Sequence, residues 1–144
     1  MITSQLFGEV EVGDDQLLTM PDGLFGFPAC THFALLPAGR EGFFWLQSTQ
    51  HAAVAFLIVD PFMYFDGFTV DLTGAVLQRV DTTEPAHVNI FAIVTLPTAA
   101  GDATANLQGP LVFNVVARQG FQAVIQDSEF GTRERIPRES LAAH

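Results

Sequence analysis

Apolar residues in this chain come in short runs that either alternate with polar residues or stand unbroken between glycines, prolines and aspartates. Such runs are typical of β-strands separated by turns. The predicted strands are 2–6, 9–12, 17–20, 32–36, 43–48, 53–59, 68–72, 87–96, 111–118 and 121–126. Many short strands at this spacing favour an antiparallel barrel or sandwich, and barrel closure would also cover the edges of such apolar strands.

The segment 43–65 (FFWLQSTQHAAVAFLIVDPFMYF) holds seven of the sixteen aromatic residues and one formal charge, Asp60. Its longest unbroken apolar run, 52–59, is far shorter than the roughly 20 residues of a membrane-spanning helix. We therefore predict no membrane association. The segment is interpreted as two core strands, apolar on both faces and so covered on both sides, followed by an aromatic loop.

Helical periodicity is confined to residues 73–80, where Thr73 can cap a short helix whose Val76, Leu77 and Val80 share a face. The predicted fold class is mainly β: a single-domain, compact antiparallel β-barrel-like fold with one short helix near 73–80. We place the domain at residues 1–130. The charge-mixed segment 131–144 is predicted to be a loosely ordered tail.

The charge of the chain restricts the kinds of partner that it can bind. The chain has sixteen acidic residues, six arginines and no lysine, and residues 1–130 carry fourteen acids and three arginines, a net charge of −11. An acidic body repels phosphate backbones, so we predict no direct nucleic-acid binding. It favours a basic protein partner. The alternative, which stays equally open, is that the acidic residues only keep an apolar protein soluble.

Cytoplasmic localisation is expected from two features of the sequence. The N-terminal MITSQLFGEVEV has no basic segment and no long apolar segment, so it is unlike a secretory signal. The single cysteine, Cys30, has no partner for an internal disulfide, which suits a reducing compartment.

Catalytic and metal-binding patterns are weak. The absence of lysine excludes Schiff-base and Walker-A chemistry. Cys30 and His32 alternate in an extended segment, yet no CxxC or HxxxH accompanies them, so a zinc site is incomplete. We predict no enzymatic activity, no metal and no cofactor. Two alternatives stay open on the residues alone: a small-ligand-binding β-barrel protein, and a hydrolase using Asp60, His51 or His87.

Five linked segments of the chain resemble the flagellar assembly factor FliW family. They appear in that family's order and spacing over residues 1–130. The segments are PDGLFGF (21–27) with FALLP (33–37), FFWLQS (43–48), AFLIVDPF (55–62) with Tyr64 and Phe65, TANLQGPLVFN (104–114), and QAVIQDSEF (122–130).

The resemblance implies a compact, antiparallel β-barrel-like fold and a function without catalysis. Members of that family bind flagellin and, in turn, the RNA-binding translational repressor CsrA. Flagellin that accumulates in the cytoplasm occupies the factor and leaves CsrA free to repress flagellin translation. By resemblance, this chain is expected to sense flagellin supply.

Candidate partner-binding residues lie in two of the matched loops. Phe62, Tyr64 and Phe65 follow Pro61, and so many large side chains exceed what a turn needs. Closing one end of the barrel is the alternative role for these aromatic residues. Asn106 and Gln108 are predicted to offer hydrogen bonds to a partner's backbone, with turn capping as the equally open alternative.

Overall fold

The computed structural model describes residues 1–97, 102–125 and 129–136. In these residues the chain forms eleven strands and one α-helix, which confirms the mainly β prediction. The elements are β1 (Ile2–Ser4), β2 (Gly8–Val10), β3 (Leu17–Thr19), β4 (His32–Pro37), β5 (Phe43–Ser48), β6 (Ala55–Val59), α1 (Gly74–Arg79), β7 (Val88–Thr95), β8 (Thr104–Ala105), β9 (Leu111–Asn114), β10 (Gln119–Gln122) and β11 (Glu134–Arg135). Thr73 caps α1 as predicted, its side chain accepting from the Val76 amide at 3.2 Å.

Seven strands close into a barrel in the order β3, β4, β5, β6, β7, β9, β10. Closure depends on β7, which pairs with β9 through Val88–Phe91 and with β6 through Ala92–Val94. All neighbours in the ring are antiparallel except β10 and β3, which meet in parallel at Gln119 and Thr19. An odd number of strands cannot alternate in direction all the way around a closed ring, so one parallel pair is required. The barrel prediction is confirmed, with this correction to its strictly antiparallel form.

One face of the ring forms a continuous apolar interior. The strand register places Leu46 opposite both Leu35 and Phe56, and Ile58 opposite Ile93. The buried members of this cluster are Leu18, Met20, Leu24, Cys30, Phe33, Leu46, Ile58, Phe91, Leu111 and Phe113. These side chains fill the space inside the barrel, as expected for a ring of this size.

A second apolar cluster covers the outside of the barrel, on the opposite face of the same strands. It joins Phe43 of β5 and Val59 of β6 to Phe65, Val80 and Ile136, which come from segments lying over the barrel. This second layer explains why β5 and β6 are apolar on both faces. The sequence prediction that both strands are covered on two sides is therefore confirmed.

The N-terminal hairpin β1–β2 packs against the outside of β5, where it contacts the buried polar side chain of Gln47. The Ser4 hydroxyl donates to Gln47 Oε1 at 2.7 Å. Gln47 Nε2 donates to the carbonyls of Ser48, Ala52 and Val54 at 2.9–3.2 Å. A single amide thus satisfies polar groups of the hairpin and of the β5–β6 turn.

Replacing Gln47 with leucine is expected to lower the free energy of unfolding by about 1–3 kcal/mol, because the buried Ser4 hydroxyl loses its acceptor and the turn carbonyls lose a side-chain donor. Urea denaturation would measure the change. Gln50→Leu is the matched control, since Gln50 is exposed and water can replace its bonds to Thr31. Equal midpoints for the two variants would show that the Gln47 network contributes little to stability.

Two predicted elements differ from the structure for identifiable reasons. Residues 68–72 are not a strand: burial alternates along them, but they lie over the barrel without a ladder partner among the described residues. The β9–β10 turn is at Val115–Arg118, not at 119–120. The side chain of Asn114 accepts from the amides of Val116 and Ala117 at 2.9–3.0 Å, and Arg118 has a left-handed φ of 58°.

Consequently the last two predicted strands are shorter and shifted. Predicted strand 111–118 ends at Asn114, and predicted strand 121–126 is replaced by β10, with Gln126 outside the described residues. The apolar pattern did not reveal the turn, because its residues Val115 and Val116 extend the apolar run of the preceding strand.

Regular structure extends into the predicted tail 131–144. Its residues Glu134 and Arg135 form β11, which pairs with β8, and Ile136 is fully buried in the outer cluster. Packed structure thus continues to residue 136, beyond the boundary predicted at 130. Residues 137–144 lie outside the described residues.

Candidate functional site

The aromatic loop after β6 begins with a short 3-10 turn, Pro61–Met63. Asp60 starts the turn, because its Oδ1 accepts from the Phe62 amide at 3.0 Å. Phe62 and Met63 project from the turn and are 49% and 45% exposed. Asp60 therefore caps the turn, and the turn presents two large apolar side chains to solvent.

The other two aromatic residues of this loop face the protein. Tyr64 donates its hydroxyl hydrogen to the Glu41 carbonyl at 2.7 Å and packs edge-on against Phe43 with ring centroids 5.3 Å apart. Burial, followed by the charge of Glu41, raises the pKa of the Tyr64 phenol, which further favours its protonated, hydrogen-bond-donating form. Phe65 is 9% exposed and belongs to the outer apolar cluster.

Asn106 and Gln108, the remaining predicted site residues, form a turn of their own. Asn106 Oδ1 accepts from the amides of Gln108 and Gly109, both at 3.0 Å. The Gln108 carbonyl accepts from the Ile125 amide at 2.8 Å. Both residues are half-buried, and neither lines the groove beside Phe62. The Asn106 side chain is thus used in turn capping, the alternative considered from the sequence.

Phe62 and Met63 line an open groove of about 490 Å³, here called the aromatic groove. Phe44 and Phe91 of the barrel and Val70 and Leu72 of the segment over it also line this groove. The segment 68–72, whose apolar and polar residues alternate as in a strand, therefore forms part of a surface groove. Of the three predicted aromatic site residues, the structure brings only Phe62 to a well-exposed position beside this groove.

A second groove, here called the α1 groove, has a volume of about 780 Å³ and lies between α1, the segment after it and the β9–β10 turn. Leu77 and Val116 supply apolar surface, and Asp81 and Glu84 supply carboxylates. Sequence reasoning missed this groove, because its lining is assembled from three separate segments that carry no common motif.

A third depression, of about 440 Å³, lies on the other side of α1 beside Phe25 and Val124, which are 58% and 62% exposed. Arg79 crosses it. The Arg79 guanidinium pairs with Asp22 at 2.7 Å and lies 4.0 Å from the centre of the Phe121 ring. Arg79 thereby ties α1 to the loop that follows β3.

Cys30 and His32, the pair considered for metal binding, do not share an environment. Cys30 is buried in the barrel interior, whereas His32 is exposed with its Nδ1 2.9 Å from the Thr31 hydroxyl. His87 Nδ1 lies 3.1 Å from the Thr82 hydroxyl. Within residues 1–97, 102–125 and 129–136, no group of three or more histidine, cysteine, aspartate or glutamate residues is placed to hold a metal ion. Nor does any helix in that part of the chain have the length and apolar character needed to cross a membrane.

Comparison with known proteins extends over nearly the whole chain. The model of the FliW protein family matches residues 1–136. The flagellar assembly factor FliW of Treponema denticola is 37% identical over 99% of this chain and 97% of its own length. That of Moorella thermoacetica is 34% identical over 98% and 90%.

A solved structure gives the same relationship in three dimensions. The crystal structure of a flagellar assembly factor FliW superimposes with a TM-score of 0.84 at 31% identity, covering 94% of this chain and 96% of the other. Residues 1–136, which the family model matches, include both apolar clusters, the aromatic loop and β11. Sequence, fold and extent therefore agree that this chain belongs to the FliW family of flagellar assembly factors.

Proposed function

We propose that this chain is a cytoplasmic, non-enzymatic flagellar assembly factor that binds flagellin and antagonises the translational repressor CsrA, coupling flagellin supply to flagellin translation. The observation that carries the proposal is the match to FliW over residues 1–136, in fold as well as in sequence. The filled barrel interior supports a binding surface on the outside of the barrel over the alternative of an enclosed small-ligand site.

Flagellin binding is assigned to the aromatic groove. Unassembled flagellin has amphipathic terminal helices whose apolar faces need shielding, and such helices bind in apolar grooves through a few large side chains. Phe62 is the proposed contact residue, with Met63 beside it. Tyr64 and Phe65 hold the loop against the barrel from below, and Asn106 and Gln108 shape a separate loop.

CsrA binding is supported by charge. The chain has a net charge of −10 and no lysine, whereas an RNA-binding protein must present positive side chains to phosphate. An acidic body docked near an RNA-binding surface also repels RNA. Rising salt concentration is therefore expected to weaken the pair and to lessen the inhibition of RNA binding.

The function as a whole is tested by titrating the purified chain with flagellin and with CsrA from the same bacterium, separately and in competition. Binding to each protein, with flagellin displacing CsrA, is the expected result. Absence of binding to either protein would overturn the proposal. Binding to flagellin alone would remove the CsrA part of it.

Replacing Phe62 with serine is expected to weaken flagellin binding at least tenfold while leaving the fold intact, because the side chain is half exposed and central aromatic contacts dominate interfaces. Isothermal titration calorimetry would measure the affinity. The matched control is Phe25→Ser, a substitution of a phenylalanine that is also about half exposed and lies beside the third depression. Loss of binding in the control but not in the Phe62 variant would transfer the flagellin site to that depression.

A further inference from the structure

The α1 groove has the composition of a docking site for a positively charged, amphipathic protein segment. Two carboxylates, of Asp81 and Glu84, lie along it, and both residues are exposed. Lysine is absent from the chain, and no arginine lines the groove. We infer that this groove binds a basic amphipathic segment of a protein partner; the inference rests on the proposed function and gives its basic, RNA-binding partner a surface.

Two arginines adjacent to the groove in sequence point away from it, which keeps its charge negative. Arg79, in the last turn of α1, pairs with Asp22 and stacks on Phe121 in the depression on the opposite side of the helix. Arg118, directly after the turn residue Ala117, donates to the Asp14 carbonyl at 2.5 Å. Because both guanidinium groups are engaged elsewhere, an incoming cation meets the carboxylates of Asp81 and Glu84 without competition from an arginine paired to them in the described part of the chain.

Apolar surface in the same groove selects an amphipathic segment over a merely basic one. Val116 is 66% exposed, more than any other valine in the described residues, and it stands at the tip of the β9–β10 turn. Leu77, the buried residue of α1, supplies the opposite side. A segment with an apolar residue between the two, and with lysine or arginine one helical turn away, would satisfy both features.

The groove is preformed, because one side chain fixes both of its sides. Asn114 Nδ2 donates to the Val80 carbonyl at 2.6 Å, while its Oδ1 accepts from the Val116 and Ala117 amides. The end of α1 and the β9–β10 turn are therefore held at a set separation. Preorganisation of this kind reduces the entropic cost of binding.

The position of the groove adds a consequence for partner choice. His87 lines the α1 groove, and the next residue, Val88, lines the aromatic groove. On the preceding segment, Leu72 lines the aromatic groove and Gly74 lines the α1 groove. The two surfaces are thus neighbours, and a protein larger than one groove overlaps the other. Steric exclusion between an apolar partner and a basic partner follows without any change in the fold.

The test is a binding titration of the double variant Asp81→Asn with Glu84→Gln against CsrA from the same bacterium, with flagellin measured in parallel. Asparagine tolerates the left-handed backbone at position 81, where φ is 60°, so the change removes charge without adding strain. CsrA affinity is expected to fall at least tenfold, chiefly through a slower association rate, and its salt dependence to become shallower. Flagellin affinity is expected to change less than twofold.

The matched control is Glu9→Gln with Glu11→Gln, which removes two exposed carboxylates in and just after β2 and changes the net charge by the same amount. Val116→Ser tests the apolar contact in the groove, and Val124→Ser, outside the groove, is its control. Only Val116→Ser is expected to accelerate CsrA dissociation. If the groove variant (Asp81→Asn with Glu84→Gln) and the control variant (Glu9→Gln with Glu11→Gln) bound CsrA with equal affinity, the assignment of the groove would be overturned. The proposed function would still stand. A wild-type chain that binds neither CsrA nor flagellin would overturn both.

Discussion

Replacing Phe65 with alanine is expected to lower the free energy of unfolding by about 3–5 kcal/mol, the usual cost of removing a buried aromatic ring from a packed core. Phe65 is only 9% exposed and packs in the outer cluster with Phe43 and Val59 of the barrel. Its backbone also closes the aromatic loop, since the Phe65 amide donates to the Pro61 carbonyl at 2.9 Å. Chemical denaturation with a fluorescence or circular dichroism signal would give the value.

Phe62 is the matched control, because it lies three residues away in the same loop yet is 49% exposed. Phe62→Ala removes a tilted ring contact with Phe68, whose centroid lies 5.5 Å away, and is expected to cost about 1 kcal/mol or less. The two substitutions thus separate a core role from a contact role. A Phe65 variant as stable as the Phe62 variant would mean that the outer cluster does not stabilise the fold.

The barrel itself was largely predictable, because a two-residue period and an apolar run on both faces have few structural explanations. β5 is where it was predicted to the residue, and β4 and β6 differ by one or two residues at one end. Residues 68–72 show the limit of this reasoning. An extended segment that lies over a barrel has the same alternation as a strand, and only backbone pairing distinguishes them.

The candidate site was predictable in its location but not in its exposed residues. Four large side chains after Pro61 indicate a loop with more apolar surface than a turn requires, yet the local pattern does not reveal which of them turn inward. That choice depends on Gly42, which lies under Met63, and on Glu41, whose carbonyl binds Tyr64. Both belong to the distant β4–β5 turn.

Short pairings and multi-segment surfaces were out of reach for a related reason. β8 and β11 are two residues each and become strands only because β7 offers an edge to which β8 and then β11 can pair. The α1 groove likewise depends on Asn114, which joins the end of the helix to a turn 34 positions away in sequence. Contacts of this range carry no local signal in a single sequence.

Replacing Gly23 with alanine is expected to destabilise the protein by roughly 2–5 kcal/mol, through a left-handed backbone and a steric conflict together. Gly23 has a φ of 65°, and a Cβ there would lie 2.5 Å from the Phe27 carbonyl oxygen and 2.7 Å from the Pro28 Cα. Both obstacles are backbone atoms, so no side-chain rotation relieves them. The loop that would have to move carries Leu24 into the barrel interior.

Gly26→Ala in the same loop isolates the conformational part of that cost. Gly26 also has a positive φ, of 84°, but a Cβ there would meet no heavy atom within 4 Å. The Gly26→Ala variant should therefore lose only about 1–2 kcal/mol of its free energy of unfolding, which is the cost of the left-handed conformation. Thermal denaturation of the two variants gives the steric part of the cost as the difference between their stabilities.

Because the displaced loop also holds Phe25, whose amide donates to Gln122 Oε1 at 2.8 Å, the Gly23 variant should disturb the third depression and leave the α1 groove intact. A Gly23 variant no less stable than the Gly26 variant would show that the loop accommodates the methyl group by moving as a unit.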